Sequence, residues 1–310
     1  MKWYFVASNY RLHSKFLVKH NVEHVLVTFA EHVQSGKINP DLMEAAKEGR
    51  LKLMLDSGAF TNFSKPGFVS LKAFRGFLEG HANRFSEIVT FDDLRSRSKT
   101  IKNYRVLKND GHDVLFVDHI YFRWNDSLQP FYKSGNKLCF GSLVKKTSDS
   151  QTHTLLEQLE KRMDAAREKP KSKVHLLGVG TRVKKFLPHL DVVDSLDTSS
   201  WFTGPARFGG VVIAKAGEDG WPFLQHDNYR HMTEEVRSMF RKAGLDPNHH
   251  LGRVEMAVKA FKKFFRLFDA RYKKAIESKE DLVEKSMEDD DSLVQKALTV
   301  TDAMEAIEES

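Results

Sequence analysis

Aspartates stand at the ends of several short apolar runs: Asp56, the pair Asp92-Asp93, Asp118, and Asp194 with Asp197. One aspartate after a strand usually caps the next helix, and Asp41 and Asp93 read that way. Asp56, Asp92 and Asp197 read differently. Gly58 follows the first of them closely, and Gly141 and Gly178 end two further runs. Glycines let a flat ligand approach the backbone. Carboxylates crowded in one pocket raise one another's pKa, which suits one ionised nucleophile and one proton shuttle.

Converging these residues needs a fold that gathers strand ends. Eight β-rich runs recur: Trp3–Ala7, His24–Phe29, Lys52–Leu55, Ile88–Phe91, Val114–Val117, Leu138–Gly141, His175–Gly178 and Val192–Leu196. Most are continuously apolar, as parallel strands covered on both faces should be. Helical patterns fill the gaps at Asp41–Arg50, Leu71–Arg84, Asp149–Arg167 and Arg182–Leu190. Repeated strand–helix alternation implies a (β/α)8 barrel, whose chemistry sits where the strands end. An open doubly wound sheet is the alternative, and the lack of a Gly-rich phosphate loop after the first run weakens it.

The expected division is a barrel over residues 1–210, a basic helical extension over 211–277 and an acidic helical tail over 278–310. In the extension, Thr233–Ala243 reads as one helix. Val254, Val258, Phe261, Phe265, Phe268 and Tyr272 form the apolar stripe of a longer one.

With 310 residues, 41% hydrophobic and 29% charged, the chain can bury a large core. No run approaches the ~20 apolar residues of a membrane span. The single cysteine, Cys139, excludes an intrachain disulfide and a multi-cysteine zinc site. His226, His231, His249 and His250 do not replace such ligands. A soluble, cytoplasmic protein without cofactor or metal is expected. The tail holds eleven acids and three lysines, net −8, so residues 1–277 carry +15. So basic a body either attracts a polyanion or carries ordinary solubility charge.

The blocks at the strand ends resemble the tRNA-guanine transglycosylase superfamily. Asp56-Ser57-Gly58-Ala59-Phe60 is similar to its Asp-Ser-Gly-Gly-Phe-Gln signature, with Ala59 and Thr61 as departures. Glu87-Ile88-Val89-Thr90-Phe91-Asp92-Asp93 resembles its Asp-Ile-x-x-x-Phe-Asp-Glu block. Phe140-Gly141-Ser142-Leu143 resembles Gly-Gly-Leu. His175 to Gly180, leading to Val193-Asp194-Ser195-Leu196-Asp197, resembles Leu-x-Gly-Val-Gly followed by Val-Asp-x-Phe-Asp. The blocks run in order from Lys52 to Arg207. The family's three-cysteine zinc site and its Pro-Thr-Arg after the nucleophile are missing.

The resemblance implies exchange of guanine in a nucleic acid for a 7-deazaguanine such as preQ0 or preQ1. Asp197 would attack the sugar C1′ and Asp56 would handle the base proton. Asp92 would accept hydrogen bonds from the guanine edge. Gly141 and Ser142 would offer backbone N–H groups to the ring carbonyl, with Ser57, Gly58, Leu143 and Gly178 in the same wall. His119 would take the place of a family glutamine. Phe60 would stack near the base or serve as a core aromatic. The reduced chain is most similar to viral and bacterial enzymes that modify DNA, so DNA is the expected substrate and tRNA the alternative. Backbone contacts would come from Lys145, Lys146, Lys184, Lys185, Arg207, Lys262, Lys263 and Arg266. Two readings compete with this one, a non-catalytic binding subunit and an unrelated barrel hydrolase.

Overall fold

The computed structural model describes residues 1–7, 10–33, 39–65, 67–141, 149–168 and 173–278. Strands and helices alternate from the start. The order is β1 (Lys2–Val6), α1 (Arg11–Lys19), β2 (His24–Thr28), α2 (Pro40–Lys47), β3 (Lys52–Asp56), α3 (Ala59–Ser64), α4 (Leu71–His81) and β4 (Glu87–Ile88). It continues with α5 (Arg97–Asn109), β5 (Phe116–His119), α6 (Gln129–Lys133), β6 (Leu138–Gly141), α7 (Asp149–Arg167), β7 (Val174–Leu176), β8 (Val193–Thr198) and α8 (Ser200–Arg207). A 3-10 segment, Gly180–His189, stands between β7 and β8.

The eight strands form one parallel sheet in the order β4-β3-β2-β1-β8-β7-β6-β5. Its two edges meet through a Val89–Leu115 bridge, where Leu115 N–H donates to the Ile88 carbonyl at 2.8 Å and Thr90 N–H to that of Leu115 at 3.0 Å. The sheet therefore curls into the expected (β/α)8 barrel. Asp56, His119, Asp197 and Thr198 lie within the last turns of their strands, not beyond them. The helix caps also differ from expectation. Asn39 Oδ1 accepts from Asp41 N–H, and Ser96 Oγ from Lys99 N–H. Asp93 instead accepts from Arg95 N–H and pairs with Lys99 at 2.7 Å.

Side chains alternate across each strand. Tyr4, Leu26, Met54, Val89, Val117 and Cys139 point inward and fill the lower barrel as a small apolar plug. Two residues further along, the inward positions are Asp56, His119, Gly141 and, above Ser195, Asp197. The same count turns Asp118 outward. There Arg162 of α7 donates to it at 2.7 Å and the Tyr132 hydroxyl at 2.9 Å, with Asp118 and Arg162 both fully enclosed.

Below the plug, at the strand starts, Lys137 reaches Glu87 at 2.7 Å and Asp194 at 2.8 Å, while Lys2 reaches Asp194 at 2.9 Å.

Residues 211–277 are not wholly helical. An antiparallel hairpin, β9 (Gly210–Ala216) and β10 (Pro222–Asn228), precedes α9 (Glu234–Lys242) and α10 (His250–Glu277). The β-branched run Val211–Ile213 followed by Gly217-Glu218-Asp219-Gly220 specifies it. Gly220 N–H donates to the Gly217 carbonyl at 3.0 Å, and Gly220 has the positive φ such a turn needs. The stripe of α10 packs on β1: Trp3 stacks on Phe265 at 4.1 Å, and Phe261 and Phe268 are fully buried. Of the tail, only Ser278 lies among the described residues.

Candidate active site

Four strand ends supply the acidic and imidazole groups of the mouth. β3 carries Asp56, and the backbone then turns sharply through Gly58 into α3. Gly58 has φ +79°, and a Cβ there would meet the Ala30 Cβ at 2.4 Å, so only glycine fits. Its N–H donates to Asp56 Oδ2 at 2.9 Å. Beyond β4, Ser57 Oγ donates to Asp92 Oδ1 at 2.6 Å, and His119 Nε2 of β5 lies 2.9 Å from Asp92 Oδ2. The imidazole reaches that place because Gly141 has no side chain: a Cβ there would stand 2.5 Å from His119 Nδ1.

Asp197 is held on one oxygen. Gly178 N–H donates to Oδ2 at 2.9 Å, and His175 Nε2 lies 3.3 Å from the same atom. A carboxylate can only accept, so Nε2 carries the ring proton. His175 Nδ1 then accepts from the Ser195 hydroxyl at 2.8 Å. His175 and Ser195 are cross-strand partners and fully buried. Among the described residues nothing engages Asp197 Oδ1, which leaves that oxygen for an electrophile.

Burial, then the Asp92 carboxylate, then that of Asp197 push the Asp56 carboxyl up to about 7, while the Gly58 and Ser57 amides pull the other way. A carboxyl poised there can both give and take a proton at neutral pH. Tyr121 stands near the same charges: burial and Asp92 raise its hydroxyl to about 12. The Cys139 thiol, sealed in the plug, is pushed far up by burial and is not a nucleophile here. Among the described residues no three histidine, cysteine or acidic side chains are grouped as metal ligands are.

The structure thus brings together Asp56, Ser57, Gly58, Asp92, His119, Gly141, Gly178 and Asp197. Ser142, Leu143, Lys145 and Lys146 lie outside the described residues. Phe60 is not core: it is 77% exposed, the most open of the large apolar side chains described. The expected cations scatter. Lys184 pairs with Asp219 at 3.3 Å, and Lys185 is half-buried. Lys262 donates to the His20 and Asn21 carbonyls at the end of α1, so it closes a helix end. Arg207, Lys263 and Arg266 are exposed. His175 and Ser195 are the site residues that motif reading misses. Alternation could have found Ser195, which stands two positions below Asp197, while His175 shows only through its cross-strand pairing with Ser195.

No protein-family model matches the chain, and no curated sequence matches it significantly. No helix among the described residues is long and apolar enough to cross a membrane.

Proposed function

We propose that the chain is a guanine transglycosylase that replaces guanine in DNA with a 7-deazaguanine through a glycosyl ester on Asp197. One observation carries this reading: Asp56, Asp92 and Asp197 meet at the barrel mouth in three different chemical settings. Asp197 has a free oxygen and a fixed one, as a nucleophile needs. Asp56 is poised near neutrality, as a proton shuttle needs. Asp92 offers two oxygens that retain lone pairs beside Ser57 and His119, enough to accept the N1–H and exocyclic amine of a guanine edge.

In the first half-reaction, Asp197 Oδ1 bonds to C1′ as the C1′–N9 bond breaks. The protonated Asp56 gives its proton to the departing purine and becomes a carboxylate. In the second, Asp56 takes the N9 proton of the incoming base as that nitrogen attacks C1′, and Asp197 leaves as a carboxylate. The chemistry parallels that of retaining glycosidases. A duplex guanine must leave the stack before C1′ is accessible, at a cost of a few kcal/mol.

The test is base exchange. Guanine-labelled DNA and, separately, labelled tRNA are incubated with the protein and preQ0 or preQ1, and nucleosides are analysed by mass spectrometry. Incorporation into DNA supports the proposal. Incorporation into tRNA alone moves the substrate to the alternative. Base release without incorporation identifies a hydrolase. Nucleic-acid binding without exchange identifies a binding subunit.

A further inference from the structure

α3 begins three residues after Asp56 and places aromatic rings in solvent. Phe60 is 77% exposed, Phe63 42% and Phe68, on the following turn, 39%. Exposed large apolar side chains gathered in one stretch need a reason. Cations accompany these. The Arg95 guanidinium lies over the Phe63 ring at 4.7 Å and donates to the Phe63 carbonyl, and Lys65 lies 5.9 Å from the centre of the Phe68 ring. Four residues span at most about 14 Å, so Phe60 stands close to the carboxylates.

From Arg95 the chain enters α5, which carries no acid between Arg97 and Asn109. Exposed Lys102 and Arg105 line an open groove, with Arg97 at its head and Asn125 and Ser127 opposite. The mouth is therefore followed by aromatic faces and then by a basic track.

We infer that Phe60, Phe63 and Phe68 form a stacking ledge for unpaired bases next to the target nucleotide, and that Lys102 and Arg105 hold the phosphates that follow. The occupant is single-stranded nucleic acid, or a locally opened duplex. Rings accept any base by its π-face, while cations at regular intervals answer the backbone. A protein partner fits less well, because the neighbouring α5 carries no acid between Arg97 and Asn109 and so offers a polyanion an uninterrupted basic face. The inference rests on the transglycosylase reading for its substrate, but not for its test.

The test is equilibrium binding of the full chain, without acceptor base, to a fluorescein-labelled single-stranded oligodeoxynucleotide and to its duplex. Fluorescence anisotropy gives both affinities. In the double variant Phe60→Ala/Phe63→Ala, single-strand affinity should fall by roughly tenfold or more for each base that no longer stacks. Duplex affinity should fall far less. Phe60→Trp should keep single-strand binding, and Phe60→Ala alone reports at the most exposed ring, where folding is least at risk. Lys102→Ala/Arg105→Ala should lower the salt slope by about 0.7 for each phosphate no longer neutralised.

Unchanged single-strand binding in the aromatic variants overturns the ledge. So does loss of self-association in sedimentation without loss of binding, which would make the rings a protein interface. Because no chemistry enters, the two proposals fail separately. Base exchange with unaltered binding in the variants refutes the ledge alone. Ring-dependent binding by a protein that never exchanges base refutes the activity alone.

Discussion

The floor and the mouth of the barrel use carboxylates to opposite ends. At the floor, Lys2 and Lys137 face Glu87 and Asp194, so the charges cancel. Burial alone would raise the Asp194 carboxyl, but hydrogen bonds and charge from the two lysines hold it at about 2. Asp197 lies three residues further along the same strand, among Asp56, Asp92 and imidazoles, and the Asp56 carboxyl climbs to about 7. Outside the barrel, Asp118 repeats the floor's solution with Arg162 and Tyr132. Where these charges serve the fold, a counter-ion accompanies them. Where they crowd without one, the arrangement costs stability, which marks the mouth as the candidate functional site.

The largest effect belongs to the proposed nucleophile. Asp197→Asn should lower exchange by at least about a thousandfold while leaving nucleic-acid affinity unchanged, since the loss falls on the transition state. Nucleoside mass spectrometry and anisotropy check the two halves. Removing the nearer counter-ion of Asp118 comes next. Arg162→Met leaves the buried carboxylate with Arg97 alone, at 3.9 Å, and should cost about 3–5 kcal/mol in urea unfolding. At the floor, Lys137→Met leaves Glu87 and Asp194 answered by Lys2 alone. Its cost should be smaller, about 1–3 kcal/mol, because the groups are partly solvated.

That floor term has a definite pH dependence. The folded-state value of Asp194 lies below its ordinary one, so its contribution is present above pH ~4 and fades as pH falls toward about 2. Asp56 has the reverse sign. Between pH ~4 and about 7 the folded protein keeps a proton that the unfolded chain has released, so stability falls as pH rises through that window. Asp56→Asn should therefore flatten this slope and raise the melting temperature at pH 8 by roughly a few degrees, while abolishing exchange. A variant less stable than the parent at pH 8 would remove the proton-shuttle assignment. The smallest effect is expected at His175. His175→Asn should lower kcat roughly tenfold with KM little changed, because it only orients Asp197.

Much of the barrel is legible in the sequence. The eight runs stand out because parallel strands buried on both faces are continuously apolar, and the three aspartates stand at their ends. α5 is hidden by its own charge: Ile101, Tyr104 and Leu107 carry a helical period, but the cations from Arg97 to Lys108 dilute it. The hairpin escapes a reading by helical stripes, although Val211–Ile213 and the glycine-bounded turn after it announce one. The apolar runs of β3, β5 and β8 end one or two residues before the strands do, which leaves His119 and Asp197 outside them and hides the alternation that sets Asp118 outward. His175 is masked by its apolar neighbours, and only its pairing with Ser195 across β7 and β8 gives it a role. Lys262 shows the opposite error, for a basic side chain on a helix surface can be committed to a neighbouring helix end.

The most direct measurement is a trap for the covalent intermediate. The protein is incubated with guanine-containing DNA without acceptor base, quenched in acid, digested with nuclease and protease, and analysed by mass spectrometry. A glycosyl adduct on the peptide bearing Asp197, discharged when preQ0 is added before the quench, is the expected result. Guanine release with no adduct on that peptide, or an adduct that persists in Asp197→Asn, would contradict the assignment of Asp197 as nucleophile.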